Sequence, residues 1–123
     1  MNQTRSNYRV TIDMVGAQVD NRRLIGRTLK ELATNVKGLG SVEIEGFEPE
    51  YYPGTLMIRT EDGGFVDASL RRADRGTAET IYAFQVSAEG TLEGKARDMV
   101  RSLLDTLGHL SYDPGTRYYR IGG

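Results

Sequence analysis

The chain contains no cysteine, no tryptophan and one histidine among its 123 residues. Without cysteine it cannot form a disulfide bond, a thiolate nucleophile or a cysteine-ligated metal site, and this suits a reducing compartment. No apolar stretch approaches the length that spans a membrane, and the N-terminal residues lack the apolar centre of a signal peptide. We therefore expect a cytoplasmic protein that does not bind a membrane.

The length predicts one domain, residues 1–123, because a chain of this size can bury a core without covalent staples. We expect residues 1–7 to be flexible and residues 122–123 to form a tail. The net charge of −1 gives no overall field that would select nucleic acid. The charge is uneven, however: residues 38–67 carry one basic and seven acidic residues, a net charge of −6.

Two stretches have the apolar periodicity of amphipathic helices. In the first, which Asp20 or Asn21 would cap, Ile25 and Leu29 recur on one helical face. The second would begin with Thr91 as its cap and carry apolar residues up to Leu107. Alternating apolar residues elsewhere predict strands, in the overall order β-α-β-β-β-β-α-β. This pattern indicates an α+β fold with an antiparallel sheet of five to six strands and both helices on one face.

The sheet face opposite the helices would carry several apolar side chains. Exposed apolar residues on one face favour association with a second copy, although scattered ones are common on monomers. We therefore consider a homodimer through this face as well as a monomer. The residues concerned are Val15, Met57, Phe65, Ile81 and Ala83.

The pattern Tyr-x-Pro-Gly-Thr occurs twice, at residues 51–55 and 112–116. Proline followed by glycine is typical of a type II turn, in which glycine takes a positive φ. Tyrosine and arginine gather at both copies and could stack flat rings and hold anions, although tyrosine beside a turn often only packs over it. The predicted ligand-binding residues here are Tyr51, Tyr52, Tyr112, Arg117, Tyr118 and Tyr119.

A second candidate anion site is the segment Arg71-Arg72-Ala73-Asp74-Arg75-Gly76-Thr77, which we predict to lie at a hairpin loop. Clustered guanidinium groups can bind phosphate or carboxylate in a bidentate manner. The alternative is a solvated loop whose charge Asp74 partly neutralises. Arg71, Arg72 and Arg75 are the predicted ligand-binding residues of this segment.

An acidic row could line one edge of the sheet. Such a row can imitate nucleic-acid phosphates for a basic protein partner, as an inhibitor or immunity-type protein would. Glutamates that alternate along a strand are also typical of an ordinary solvent face. The residues of this row are Glu43, Glu45, Glu48 and Glu50.

Motifs for catalysis, cofactors and metals are weak. The segment from Gly90 to Ala96 resembles a phosphate-binding loop only loosely, since it has three residues between its glycines and no Ser or Thr after Lys95. His109 follows the Gly108 that ends a helix, where a cation complements the helix dipole. We therefore predict no catalytic residue, no metal site and no cofactor.

Together these patterns favour a non-enzymatic binding protein that takes an anionic, nucleotide-like ligand through loops rich in tyrosine and arginine. The alternative is a protein-interaction module that presents its glutamate row to a basic partner. A small hydrolase that uses paired carboxylates ranks third, because spacing alone does not single out a pair among the 17 acidic residues.

Overall fold

The computed structural model describes residues 7–15, 19–36, 38, 40–46, 54–73, 80–108 and 111–122. These form an α+β fold with two α-helices and a seven-stranded, mostly antiparallel sheet. A 3-10 turn, Gly90–Leu92, precedes the second helix. The elements are β1 Asn7–Val15, α1 Val19–Asn35, β2 Gly40–Gly46, β3 Gly54–Thr60, β4 Phe65–Arg72, β5 Ile81–Glu89, α2 Glu93–Leu107, β6 Ser111–Asp113 and β7 Tyr118–Gly122.

The strands lie in the order β2-β3-β4-β5-β1-β7-β6. Two features differ from the predicted sheet. The short strand β6 is additional, because Tyr112 and Asp113 pair with β7 before the turn begins. Strand β7 pairs with β1 in parallel, from Thr11–Tyr118 to Val15–Gly122, so the sheet is not purely antiparallel.

The sheet includes one residue from each predicted terminal segment. Gly122, expected in a tail, is the last residue of β7 and lies opposite Val15. Asn7, expected in a flexible segment, begins β1 and lies opposite Glu89 of β5. Both residues belong to paired strands, in which backbone groups bond to one another.

One apolar core holds the elements together. Ile25 of α1 and Leu103 of α2 are buried, and they belong to the same cluster as the alternating strand residues. Phe84 is fully buried on β5 between Leu70 and Ile12 of the neighbouring strands. No helix in the described ranges is long and apolar enough to cross a membrane. The strand residues of the core are Tyr8, Val10, Ile12, Met14, Leu56, Ile58, Val66, Ala68, Leu70, Phe84, Val86, Ala88 and Ile121.

Helix α2 ends as predicted but begins differently. Gly108 has a φ of 67° and its amide donates a hydrogen bond to the carbonyl of Leu104, which ends the helix. At the N-terminus the predicted cap by Thr91 is wrong, since Leu92 occupies the cap position and no side chain caps the helix. The Thr91 hydroxyl instead donates a hydrogen bond to Asp62, at 3.2 Å.

Asp62 therefore joins the β3–β4 hairpin to the start of α2. Its Oδ1 atom accepts hydrogen bonds from the Thr60 hydroxyl, from the Gly64 amide and from the Thr91 hydroxyl. Gly63 has a φ of 91°, which the tight turn between the two strands requires. Hydrogen bonds, above all the one from Thr60, lower the pKa of the Asp62 carboxyl below its usual value.

The residues that motivated a homodimer share one face of the sheet in the observed register, but they are not equally accessible. Val15, Ile81 and Ala83 are already buried within the single chain. Met57 and Phe65 are only partly buried. The single chain therefore leaves two of the five side chains partly accessible on this face.

Candidate functional site: a cleft lined by tyrosine and arginine

A cleft of about 470 Å³ lies between α2 and the strands β1, β7 and β6. Strands contribute aromatic rings to one wall, and α2 contributes charged and apolar side chains to the other. We call this site the tyrosine–arginine cleft. Its lining residues are Tyr8, Val10, Arg97, Val100, Arg101, Leu104, Asp105, Tyr112, Arg117 and Tyr119.

Two guanidinium groups approach the ring of Tyr8. The Arg97 group, from α2, lies 4.5 Å from the ring centroid, and the Arg117 group, from the turn between β6 and β7, lies 5.4 Å from it. An aromatic ring attracts cations through its quadrupole, so Tyr8 holds both positive groups at one end of the cleft. Arg97 also forms an ion pair with Glu93, with 3.4 Å between Nε and Oε2.

The second aromatic group of the cleft is a stacked pair. The rings of Tyr112 and Tyr119 have centroids 4.3 Å apart and planes tilted by 30°. Tyr119 lies opposite both Ile12 and Tyr112 in the sheet, so strand pairing holds the two rings side by side. Tyr112 is 43% exposed, the one large apolar or aromatic side chain of the described residues that is exposed to this degree.

The turn between β6 and β7 determines where Arg117 lies. The second Tyr-x-Pro-Gly-Thr copy was predicted to form a type II turn, and that prediction is wrong, because Gly115 does not have a positive φ and Arg117 does, at 53°. The Gly115 amide donates to Oδ1 of Asp113 at 2.9 Å, which tightens the start of the turn. The Arg117 carbonyl accepts a hydrogen bond from the Thr11 amide at 3.2 Å, which anchors its end to β1.

Two tyrosines of the cleft, Tyr8 and Tyr119, have raised pKa values. Burial raises the pKa of Tyr8, the charge of a neighbouring Tyr119 raises it further, and Arg97 and Arg117 oppose the shift. Burial also raises the pKa of Tyr119, and a hydrogen bond with Tyr112 adds to the effect. Both phenols therefore stay neutral at pH 7, since the ordinary value is about 10. The cleft presents neutral hydroxyl groups beside permanent cations.

Of the first Tyr-x-Pro-Gly-Thr copy, the structure describes only Gly54 and Thr55, on β3. Tyr51 and Tyr52 lie outside the described residues, and Gly54 begins β3. Three strands, β4, β5 and β1, lie between β3 and β7. Of the predicted tyrosines, Tyr118 also lies away from the cleft, because successive strand residues point to opposite faces.

The predicted arginine loop takes a different form. Strand β4 continues through Arg71 and Arg72, which pair with Ala83 and Tyr82 of β5, so these two arginines are not on a loop. As consecutive strand residues they point to opposite faces. Arg75 lies outside the described residues. The structure therefore does not bring Arg71 and Arg72 into one cluster.

Two of the acidic-row residues line a shallow groove on the opposite face of the sheet. Glu43 and Glu45 are exposed on the edge strand β2, and Asp67 of β4 lies in the same groove, whose volume is about 420 Å³. Arg71 lines it as well, so the groove is mixed in charge. Glu48 and Glu50 lie outside the described residues.

Four aromatic or charged residues of the cleft were not among the predicted ligand-binding residues: Tyr8, Arg97, Arg101 and Asp105. Tyr8 follows the alternation of a core strand, so nothing local distinguishes it from a packing residue. The other three recur at intervals of four on α2 and therefore share one side of the helix. That spacing is a signal the sequence already contained.

Comparisons with known proteins add little to this description. The chain matches no protein-family model, and no curated protein matches its sequence. Among solved structures it is similar to truncated norcoclaurine synthase from Thalictrum flavum, with 11% identity over 89% of this chain and 99% of that chain and a TM-score of 0.29. This similarity is too low to support a conclusion. Within the described ranges no three His, Asp or Glu side chains could hold a metal ion together.

Proposed function

We propose that the protein binds a small anionic ligand with an aromatic ring, such as a nucleotide, in the tyrosine–arginine cleft and does not convert it chemically. The observation that carries this proposal is the approach of Arg97 and Arg117, from separate elements, to the ring of Tyr8. Glu93 offsets only one of the two positive charges, so an anion close to both guanidinium groups is favoured. Guanidinium groups bind phosphate and carboxylate in a bidentate manner.

The stacked pair supplies the second half of the recognition. The ring of Tyr112 is 43% exposed and already lies against Tyr119, so a flat ligand ring can extend the stack. Stacking of a base on an aromatic side chain contributes about 1–3 kcal/mol. A cleft of about 470 Å³ is within the range of small-molecule sites.

The charges of the cleft residues favour binding over catalysis. General acid–base catalysis needs a group that exchanges protons near the working pH. The arginines of the cleft stay protonated, and burial keeps Tyr8 and Tyr119 neutral well above pH 7. These groups are suited to holding a fixed charge pattern.

The proposed site requires both helices to lie on the same face of the sheet. It is supported by the single core cluster, in which Ile25 and Leu29 of α1 join Leu103 of α2. The two helices also contact each other. With this arrangement α2 covers β1 and forms one wall of the cleft.

A thermal-shift screen followed by calorimetry tests the proposal. A ligand that binds only the native state raises its melting temperature. We expect nucleoside monophosphates to raise it, and nucleosides without phosphate to have a smaller effect. The double variant Arg97→Gln/Arg117→Gln should lose this response, because glutamine keeps a polar side chain but carries no charge.

Arg9→Gln is the matched control, since Arg9 is exposed and adjoins Tyr8 in sequence but points to the opposite face of the sheet. This variant should bind as the wild type does. Equal loss in the control and in the double variant would show a general charge effect and would contradict the cleft. Absence of any response to nucleoside monophosphates would overturn the proposed function.

A second candidate function is presentation of an acidic surface to a basic protein, as an inhibitor or immunity-type protein would do. It is favoured by the exposure of Glu43 and Glu45 on the edge strand β2, with Asp67 in the same groove. Fluorescence anisotropy with a lysine-rich peptide tests it. Glu43→Gln/Glu45→Gln should weaken the binding while Glu61→Gln, at the exposed β3–β4 turn, should not. If the wild type and both variants bind the peptide equally well, this candidate function is contradicted.

A further inference from the structure

Helix α2 forms one wall of the cleft, and the charge of this wall changes from positive to negative along the helix. Arg97, Arg101 and Asp105 are spaced by four residues and all line the cleft. An α-helix rises 1.5 Å per residue, so Asp105 lies about 12 Å beyond Arg97 along the axis. The wall is therefore positive beside Tyr8 and negative at its other end.

The opposite wall has the same length. Tyr119 pairs with Ile12, four residues along β1 from Tyr8, so the backbones of Tyr119 and Tyr8 lie about 13 Å apart along the strand direction. Strand β5 ends at Glu89, opposite Asn7, and α2 begins just after it and packs back over β5 and β1. The helix therefore runs from the Tyr8 end of β1 towards the Tyr119 side of the cleft. Asp105 therefore lies towards the Tyr112–Tyr119 side of the cleft, about two helical turns beyond Arg97.

We infer that Asp105 is a specificity-determining residue that selects a guanine-type base, an inference that rests on the proposed function. The phosphate of a nucleoside monophosphate would bind at Arg97 and Arg117, and its base would stack on Tyr112. The edge of the base then faces Asp105. A carboxylate only accepts hydrogen bonds, so it favours a base edge that carries donors.

Guanine fits this requirement better than the other purines. Its N1–H and its N2 amino group are adjacent donors that match the two oxygens of one carboxylate, in the way that an arginine fork does. Hypoxanthine retains N1–H but lacks the amino group. Adenine has an acceptor at N1, which a carboxylate repels. The order of affinity is therefore GMP, then IMP, then AMP.

Calorimetric titration of GMP, IMP and AMP tests this assignment on three proteins: the wild type, Asp105→Asn and Asp98→Asn. Asp98 is an exposed residue of α2 that does not line the cleft, so its variant controls for the change in helix charge. A hydrogen bond to a charged group predicts that the wild type binds GMP at least about 10-fold more tightly than IMP. Asp105→Asn should bring the two affinities together, and Asp98→Asn should preserve the ratio.

Equal affinities of the wild type for GMP and IMP would overturn the role of Asp105, as would an unchanged ratio in Asp105→Asn. If all three nucleotides bind equally and Arg97→Gln/Arg117→Gln abolishes their binding, the proposed function stands and only the base specificity falls. If none of the three binds to the wild type, the proposed function is overturned as well.

Discussion

The hydroxyl group of Tyr118 donates a hydrogen bond to the carboxylate of Asp13, a residue 105 positions earlier in the chain. Asp13 is 2% exposed and is the one buried charged residue of the described core. The two residues meet because β7 pairs in parallel with β1. The contact thus ties the last strand of the sheet to the first.

We expect Tyr118→Phe to lower the free energy of unfolding by about 1–3 kcal/mol, because the variant removes a donor from a buried carboxylate. Urea denaturation at pH 7 measures the change. Tyr112→Phe is the comparison, since its hydroxyl is hydrogen-bonded to the phenol of Tyr119 and not to a charged group, so its effect on the free energy of unfolding should be smaller, about 0.5–1.5 kcal/mol. Equal effects of the two variants would contradict the structural role of the Tyr118 hydroxyl.

Arg117 combines a left-handed backbone with a side chain in the cleft. Arg117→Gly and Arg117→Ala both remove the guanidinium group, so both should weaken nucleotide binding by at least about 10-fold. The glycine variant should be the more stable of the two by about 1 kcal/mol, because glycine adopts a positive φ without steric cost. Denaturation curves and calorimetry together measure both effects. A more stable alanine variant would rule out backbone strain at this position.

Asp62 should stabilise the protein in a pH-dependent way. Its pKa is lowered in the folded chain, so its contribution is present above the unfolded pKa of about 3.9 and is lost as the pH falls through the folded value. Asp62→Asn should therefore lower the melting temperature at neutral pH and narrow its difference from the wild type in acid. Glu61→Gln, the neighbouring charge change, controls for net charge. A difference that stays constant with pH would contradict this linkage.

The phenol of Tyr8 should make stability depend on pH in the opposite direction, with a loss at high pH. Burial raises its pKa in the folded chain, so its neutral form contributes stability below the unfolded pKa of about 10, and this is lost as the pH rises through the folded value. The wild type should therefore lose stability above about pH 10. The Tyr8→Phe variant should lose less stability over the same pH range. Urea denaturation at each pH measures the difference. Parallel curves for the two proteins would show that Tyr8 is not responsible.

Two glycines near the start of α2 should respond differently to alanine. A Cβ atom at Gly94 meets nothing within 4 Å, so Gly94→Ala should stabilise the helix by about 0.5–1 kcal/mol. A Cβ atom at Gly64 would lie 2.6 Å from the Thr91 hydroxyl and 2.8 Å from the Thr60 hydroxyl, which Asp62 holds in place. Gly64→Ala should therefore cost about 1–3 kcal/mol in the free energy of unfolding. Stabilisation by Gly64→Ala would contradict the close packing of the hairpin on α2.

Much of the fold could be predicted from local periodicity. Ile25 and Leu103 are buried, as their helical spacing indicated, because an apolar face can leave water only by packing on another element. The hairpin at residues 61–64 also follows from its glycines, of which Gly63 has the positive φ. These features depend on residues close together in the sequence.

The features that the sequence did not predict depend on contacts between segments that are far apart in the chain. Nothing near Tyr8 indicates that Arg97 lies over its ring, because α2 and β1 are far apart in the chain. The parallel pairing of β7 with β1 is likewise a tertiary property, and it turned part of a predicted turn into β6. Arg117 took the positive φ assigned to Gly115, because the four-residue loop places its left-handed position at the end.

The parallel pairing of β1 with β7 has a consequence for how the cleft comes into being. Tyr8 belongs to the first strand, whereas Tyr112 and Tyr119 belong to the final hairpin. Joining segments so remote in sequence is entropically costly and slow. Under the proposed function, a chain in which β1 and β7 have not yet paired lacks the complete cleft, so we expect nucleotide binding during refolding to begin only after this pairing has formed.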